Sequence, residues 1–206
     1  VNMVGFCISD DEVCCEASKD EIVRRYYVAT NKMAAGACND AEISKIQMLF
    51  NQAKITTDYR KVTVAAKNHK QETGHTSAAI ELEDGTIICG HSSELLGCSA
   101  ALLLNVTKHL GDIDHNLKLI PQSMIEPIQY TKVNYLGGHN PRLHTDEVLV
   151  ALSVLSENDE NCRVALQQLP KLRGCQAHCT VMLSDVDQRI FKKLGVNITC
   201  EPVLKK

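Results

Sequence analysis

The sequence predicts an α+β fold: a small mixed β-sheet, made of one hairpin and a C-terminal βαβ-like unit, covered by several helices. Three observations carry it. The first third of the chain shows helical periodicity alone, Ser77 to Cys89 reads as two strands around Asp84-Gly85, and Gln176 to Cys200 reads as strand, helix, strand. The resulting order, three helices, two strands, four helices, then strand, helix and strand, has no regular alternation and so points away from an α/β architecture. With 206 residues, 44% hydrophobic and 23% charged, the chain has the composition of a globular protein, and a single domain over residues 1–206 is expected.

Each element has its own local reason. Ser9 and Glu12 stand at capping-box spacing before a helix through Val13, Ala17, Tyr26, Ala29 and Met33 that breaks at Gly36. Asn39 and Glu42 repeat that signal ahead of a stripe formed by Ile43, Ile46, Leu49, Phe50 and Ala53. Thr57 is expected to cap a third helix carrying Val62, Ala65, Ala66 and His69, which Gly74 ends in a left-handed conformation. Strands Ser77–Glu83 and Thr86–Cys89 flank a two-residue Asp84-Gly85 turn of type I′. Gly90 ends the hairpin, and Ser92 or Ser93 caps a helix running through Leu95, Leu96, Leu102, Leu103, Val106 and Leu110 to Gly111. That helix is apolar nearly all round and is expected at the centre of the core.

A short strand is expected over Leu117–Ile120, followed by a helix over Met124–Leu136 with Pro127 in its first turn or at a kink. Gly137 to Pro141 forms a sharp connection. Thr145 then caps a helix carrying Val148, Leu149, Leu152 and Leu155, and Asn158 caps another that stops near Pro170. The chain closes with strand Gln176–Leu183, a Ser184-x-x-Asp187 helix start, a stop at Gly195 and strand Val196–Cys200. Parallel pairing of these two strands requires a right-handed crossover.

Several function classes fall away on composition. A net charge of −3 with 4% aromatic residues provides neither the basic footprint nor the stacking platforms of nucleic-acid binding. The longest apolar run, Ala100 to Leu104, is far too short to cross a bilayer, and no secretory segment opens the chain, so a cytoplasmic location with no membrane partner is expected. The first residue is Val1, so the chain is expected to be a piece of something longer. Ten cysteines in a chain of this size read as scattered free thiols rather than a disulfide scaffold. Cys175, His178 and Cys179, with Cys89 and His91, are the nearest thing to a metal cluster. Strand alternation sends His178 and Cys179 to opposite faces, and no metal site is assigned.

Three segments carry chemistry. In Asn140-Pro141-Arg142-Leu143-His144-Thr145-Asp146, Arg142 offers a planar fork for carboxylate or phosphate and His144 is of the residue type that can exchange protons near neutral pH, both just before a helix N-terminus. A plainer reading makes Asn140 and Thr145 turn and cap residues and pairs Arg142 with a carboxylate. Arg173 and His178 bracket the start of a strand, as a second polar group or as a helix-end arginine and a satisfied sheet histidine. Ser92 and Ser93 lie in a small-residue turn that resembles a phosphate loop only weakly, lacking its lysine and spacing. If the three converge, Ser92, Ser93, Asn140, Arg142, Thr145 and Arg173 bind an anion while His144 and His178 exchange protons.

The segment Asn2-Met3-Val4-Gly5-Phe6, SSELLG at Ser92 to Gly97, AALLLN at Ala100 to Asn105, NPRLHTDEVL at Asn140 to Leu149, LPKLRG at Leu169 to Gly174 and KLGVNITCEP at Lys193 to Pro202 carry a resemblance. Over essentially its whole length the chain resembles the C-terminal region of uncharacterised protein family 0371 (domain of unknown function 1846). The resemblance implies a longer protein whose preceding part holds a glycine-rich segment like a phosphate loop, so that nucleotide contacts lie mostly outside this chain. It implies no reaction, cofactor or catalytic residue. The sequence departs from the family pattern at Cys14, Cys15, Cys98 and Cys179, where small residues are usual. Two functions are thus expected as alternatives. One is part of a nucleotide- or phosphate-linked enzyme, with a phosphorylated or carboxylate small molecule as partner. The other is a packing or homo-oligomerisation domain that positions its own N-terminal domain.

Overall fold

A computed structural model describes residues 10–37 and 40–203, which fall into two compact units, Val1–Lys61 and Val62–Lys206. In the first unit, α1 (Asp11–Ala34) and α2 (Asp40–Ala53) pack through Ala29, Ile43 and Ile46, with Tyr26 against the Phe50 ring at 5.2 Å. The Asp10 side chain caps α1 by accepting from Val13 N–H; Ser9 and Asn39, the expected caps, lie outside the described residues. Arg60 is buried and donates through Nε to Asp20 Oδ1 at 2.9 Å, so the desolvated guanidinium keeps a counter-charge.

The second unit contains the whole sheet. Helix α3 (Lys61–Thr73) follows a 3-10 turn at Thr57–Tyr59 whose cap is Thr56, not Thr57, and it ends at Gly74 with φ +71° as expected. Strands β1 (Ser77–Glu81) and β2 (Ile87–His91) form the hairpin, and its turn departs from type I′. Gly85 alone takes a positive φ, Gly85 N–H donates to Leu82 O, and Leu82 N–H donates to Thr86 O. That is a three-residue loop with a glycine bulge, and Asp84 Oδ1 holds it by accepting from Thr86 N–H. Gly90 does not end β2 but lies within it, because a Cβ there would meet Leu102 N at 2.4 Å; the glycine lets the next helix lie directly on the strand.

That helix, α4 (Cys98–Leu110), begins at Gly97 rather than at Ser92 or Ser93. Leu96 and Leu143 form an isolated parallel bridge, and the chain just before it turns, with Ser93 N–H donating to Leu96 O and Ser93 Oγ accepting from Leu95 and Leu96 N–H. As expected, α4 is central, with Leu102, Leu103 and Val106 all buried. Leu117–Ile120 is not a strand: Leu119 and Ile120 are buried anchors of a loop. Helix α5 (Gln122–Asn134) holds Pro127 in its second turn. Helix α6 (Thr145–Leu155) takes His144 rather than Thr145 as its cap, and α7 (Glu160–Gln167) takes Asp159 rather than Asn158.

After a 3-10 turn at Leu169–Leu172 come β3 (Gln176–Cys179), α8 (Asp185–Lys193) and β4 (Asn197–Cys200). The order is β2-β1-β3-β4, antiparallel except for the parallel β3–β4 pair, so the hairpin and the βαβ unit build one sheet. Alternation then sorts its faces. Ala78, Ile80, Ala177, Cys179 and Cys200 join α4 and Phe191 of α8 in the main core, whereas Ala79 packs on Val62 and Ala66 of α3. Fully burying a side chain such as Phe191 or Leu102 contributes about 1.5–3 kcal/mol.

Candidate functional site

The chain order brings helix N-termini to the C-terminal ends of parallel strands. β2 leads toward α4 and β3 leads into α8, while Leu143, just ahead of α6, accepts at its carbonyl from Gly97 N–H at the start of α4. Ligands of open sheets collect outside such strand ends. Here that edge is polar: Ser92 Oγ is 2.8 Å from Thr76 Oγ1, and Ser77 N–H donates to Thr180 Oγ1 at 2.9 Å.

Asp187 organises the region. Its side chain has no solvent exposure, and its two oxygens accept four hydrogen bonds. Oδ1 takes Thr145 N–H at 3.0 Å and the Thr145 hydroxyl at 2.9 Å; Oδ2 takes the Ser184 hydroxyl at 2.8 Å and His144 Nδ1–H at 3.0 Å. Burial alone raises the carboxyl's pKa, yet the bonds from His144, Thr145 and Ser184 outweigh it and hold the group well below the usual carboxylate range. An ionised Asp187 can only accept, so the proton of neutral His144 sits on Nδ1 and Nε2 keeps its lone pair. The His144 side chain is 22% exposed, and Nε2 makes no hydrogen bond with any described residue.

The neighbouring residues fix this arrangement. Glu147 Oε2 accepts from His144 N–H at 2.7 Å and from Lys132 Nζ at 2.8 Å, and the same ammonium donates to Arg142 O. Asn140 Oδ1 accepts from Arg142 N–H, and Arg142 Nε donates to Ser93 O at 2.6 Å, which leaves the two terminal guanidinium nitrogens without a partner among the described residues. Leu143 is fully buried, so in this extended segment Arg142 and His144 both project away from it. The structure therefore gathers Ser93, Asn140, Arg142, His144 and Thr145 in one neighbourhood, with Ser92 next along the chain.

Arg173 and His178 lie apart from it. Arg173 precedes β3, at the strand end opposite Ser184, where it lines a cavity of about 330 Å³ together with Glu81 and Glu83. Two carboxylates beside an arginine oppose a free anion. His178 is fully buried on the sheet face shared with Ala79, with Nδ1 2.9 Å from Thr199 Oγ1 and Nε2 3.5 Å from Glu201 Oε1. The eight cysteines among the described residues are free thiols. The hydrogen bond to Cys98, followed by burial, pushes the Cys179 thiol well above its ordinary value, and burial raises Cys89, Cys162 and Cys175. Raised thiols of this kind carry less of the thiolate that nucleophilic attack requires. Sequence reasoning identified Asp187 as part of a helix start but missed it as the partner of His144, because nothing local connects residues 43 positions apart.

Among the described residues no helix is long and apolar enough to cross a membrane. Residues 58–206 match the model for the domain of unknown function DUF1846, C-terminal, and residues 1–54 match that for DUF1846, N-terminal. A UPF0371 protein of Corynebacterium urealyticum is 51% identical over 98% of this chain and 41% of its own length. One from Corynebacterium aurimucosum is 49% identical over 100% of the chain, and one from Streptococcus pyogenes is 44% identical over 98%, again with 41% of each relative covered. The chain thus spans about two fifths of the length of these curated relatives. With nearly three quarters of its residues on the C-terminal model and most of the remainder on the N-terminal one, the chain belongs to the DUF1846 family.

Proposed function

We propose that the unit from Val62 onward supplies an acid–base and anion-binding half-site to an enzyme acting on a phosphorylated or carboxylate small molecule. The observation that carries this reading is the buried, ionised Asp187 holding a partly exposed His144 by Nδ1. In that arrangement Nε2 accepts a proton from a bound molecule and returns it, while Asp187 stabilises the imidazolium that forms. The free terminal nitrogens of Arg142 provide a fork for the anionic group, and the start of α6 adds its positive dipole end. Ser92, Ser93, Asn140 and Thr145 shape this wall rather than reach the ligand, since each is engaged in a turn or with Asp187. Arg173 and His178 take no part in this version of the site. A cytoplasmic location fits such a substrate, and the sequence specifies no cofactor.

The test is a thermal-shift screen of the chain against phosphorylated metabolites, nucleotides and dicarboxylates, since a ligand of the native state raises its apparent stability. A shift that is lost in Arg142→Ala and in His144→Gln is expected. A shift retained in both variants places the ligand elsewhere.

A second reading has its own observation. Val150 and Val154, one turn apart on α6, are both exposed, as are Tyr130, Val133, Tyr135 and Leu136 at and beyond the end of α5. Such apolar exposure suits a homo-oligomer or packing against the remainder of a longer protein. Light scattering of the chain and of Val150→Lys/Val154→Lys distinguishes the two: assembly that dissociates in the double variant supports packing as the role.

A further inference from the structure

Three histidines meet on the α3 side of the sheet, away from the His144 site. β2 alternates so that Ile87 and Cys89 pack on the α3 face, and His91, two residues on, continues that row. His69 lies in the last turns of α3, and Gly74 returns the chain through His75 into β1, whose first residue pairs with His91. The His91 ring is thereby placed 5.4 Å from that of His69 and stacks on that of His75 at 5.9 Å and 15°.

The decisive distance is between His69 Nε2 and His91 Nδ1, 3.3 Å. Two nitrogens each about 2.0–2.1 Å from a tetrahedral zinc ion stand about 3.3–3.4 Å apart, so the separation of this hydrogen-bonding pair already matches that of two ligands of one ion. The other ring nitrogen of His69, Nδ1, lies 3.7 Å from Glu72 Oε2, a charge-pair distance longer than a hydrogen bond. We propose that His69 and His91 seat a late first-row divalent cation of the zinc class, with the stacked His75 ring, 5.9 Å from that of His91, as the nearest source of a third nitrogen. No three His, Cys, Asp or Glu side chains among the described residues converge in the present arrangement, so binding turns the exposed His75 ring inward and water fills the remaining position. His91 and His75 are exposed and His69 half-buried, which makes the ion exchangeable rather than a folding requirement.

Calorimetric titration of the full chain with zinc chloride tests this, with Cys14 and Cys15 replaced by Ser to remove two α1 thiols that would compete for the ion. One equivalent of zinc is expected to bind, with affinity falling at least about tenfold in His69→Ala and in His91→Ala, less in His75→Ala, and unchanged in His139→Ala. Without any histidine substitution, zinc should protect His69 and His91, but not His139, from carbethoxylation by diethyl pyrocarbonate. Absence of binding up to about 1 mM zinc, or binding and protection indifferent to His69 and His91, overturns the proposal.

Discussion

Two histidine–carboxylate pairs in the same unit are built inside out relative to one another. In the His144–Asp187 pair the carboxylate is wholly buried and the imidazole is 22% exposed; in the His178–Glu201 pair the imidazole is wholly buried and the carboxylate is 22% exposed. The separation differs as well, 3.0 Å against 3.5 Å. A buried, fully bonded carboxylate is a fixed support that leaves its histidine a nitrogen facing outward. A buried histidine under a partly exposed carboxylate has no such opening, and its Nδ1 is engaged by Thr199 within the sheet. Burial of the base, more than its residue type, thus separates the histidine that can meet a ligand from the one that holds strands together.

The contrast can be broken most strongly at Asp187. Asp187→Ala strips acceptors from two hydroxyls, the His144 ring and the Thr145 N–H, and should cost about 3 kcal/mol in urea unfolding. A cost below about 1 kcal/mol contradicts the description of Asp187 as the organising charge. The same carboxylate sets an acid limit. Its folded pKa lies below its ordinary 3.8, so its contribution is fully present above that value and is lost as the pH falls below it, through the folded value. Asp187→Asn should flatten this part of the stability profile, and an unchanged profile would show that other carboxylates dominate it.

His178→Ala should destabilise by about 2 kcal/mol, through a core cavity and the lost bond to Thr199, yet leave any ligand-induced thermal shift intact. His144→Gln should do the reverse, costing less than about 1 kcal/mol while removing the shift. Glu201→Gln, which weakens a long pair with His178 and another with Lys67 at 3.6 Å, should change stability by less than about 1 kcal/mol. Equal ligand responses in His144→Gln and His178→Ala would erase the distinction between the pairs.

Much of this architecture was legible locally. Ser184-x-x-Asp187 announced α8, Gly74 and Gly195 marked helix ends with positive φ, and strand alternation separated His178 from Cys179. What escaped was set by tertiary partners. Leu95 and Leu96 continue the apolar pattern of α4, but the bridge to Leu143 and the turn held by Ser93 keep them out of the helix. Leu117–Ile120 has the composition of a strand but packs as a loop in the core. Asp84-Gly85 favours type I′ by residue type, yet the Asp84 bond to Thr86 N–H stabilises a bulged loop. Arg142 and His144 were recognisable as candidates for their chemistry. Their partners, Ser93 and Asp187, lie 49 and 43 residues away, and that pairing belongs to the fold rather than to any motif.

The most direct measurement is the tautomer of neutral His144, read from its ring ¹⁵N shifts at alkaline pH in the unsubstituted chain and in Asp187→Asn. Asp187 as a pure acceptor requires the proton on Nδ1 with Nε2 bare, and the Asn variant should lose that preference. A proton on Nε2 in the unsubstituted chain would make His144 an acceptor toward the protein interior and would contradict its role as an outward-facing base.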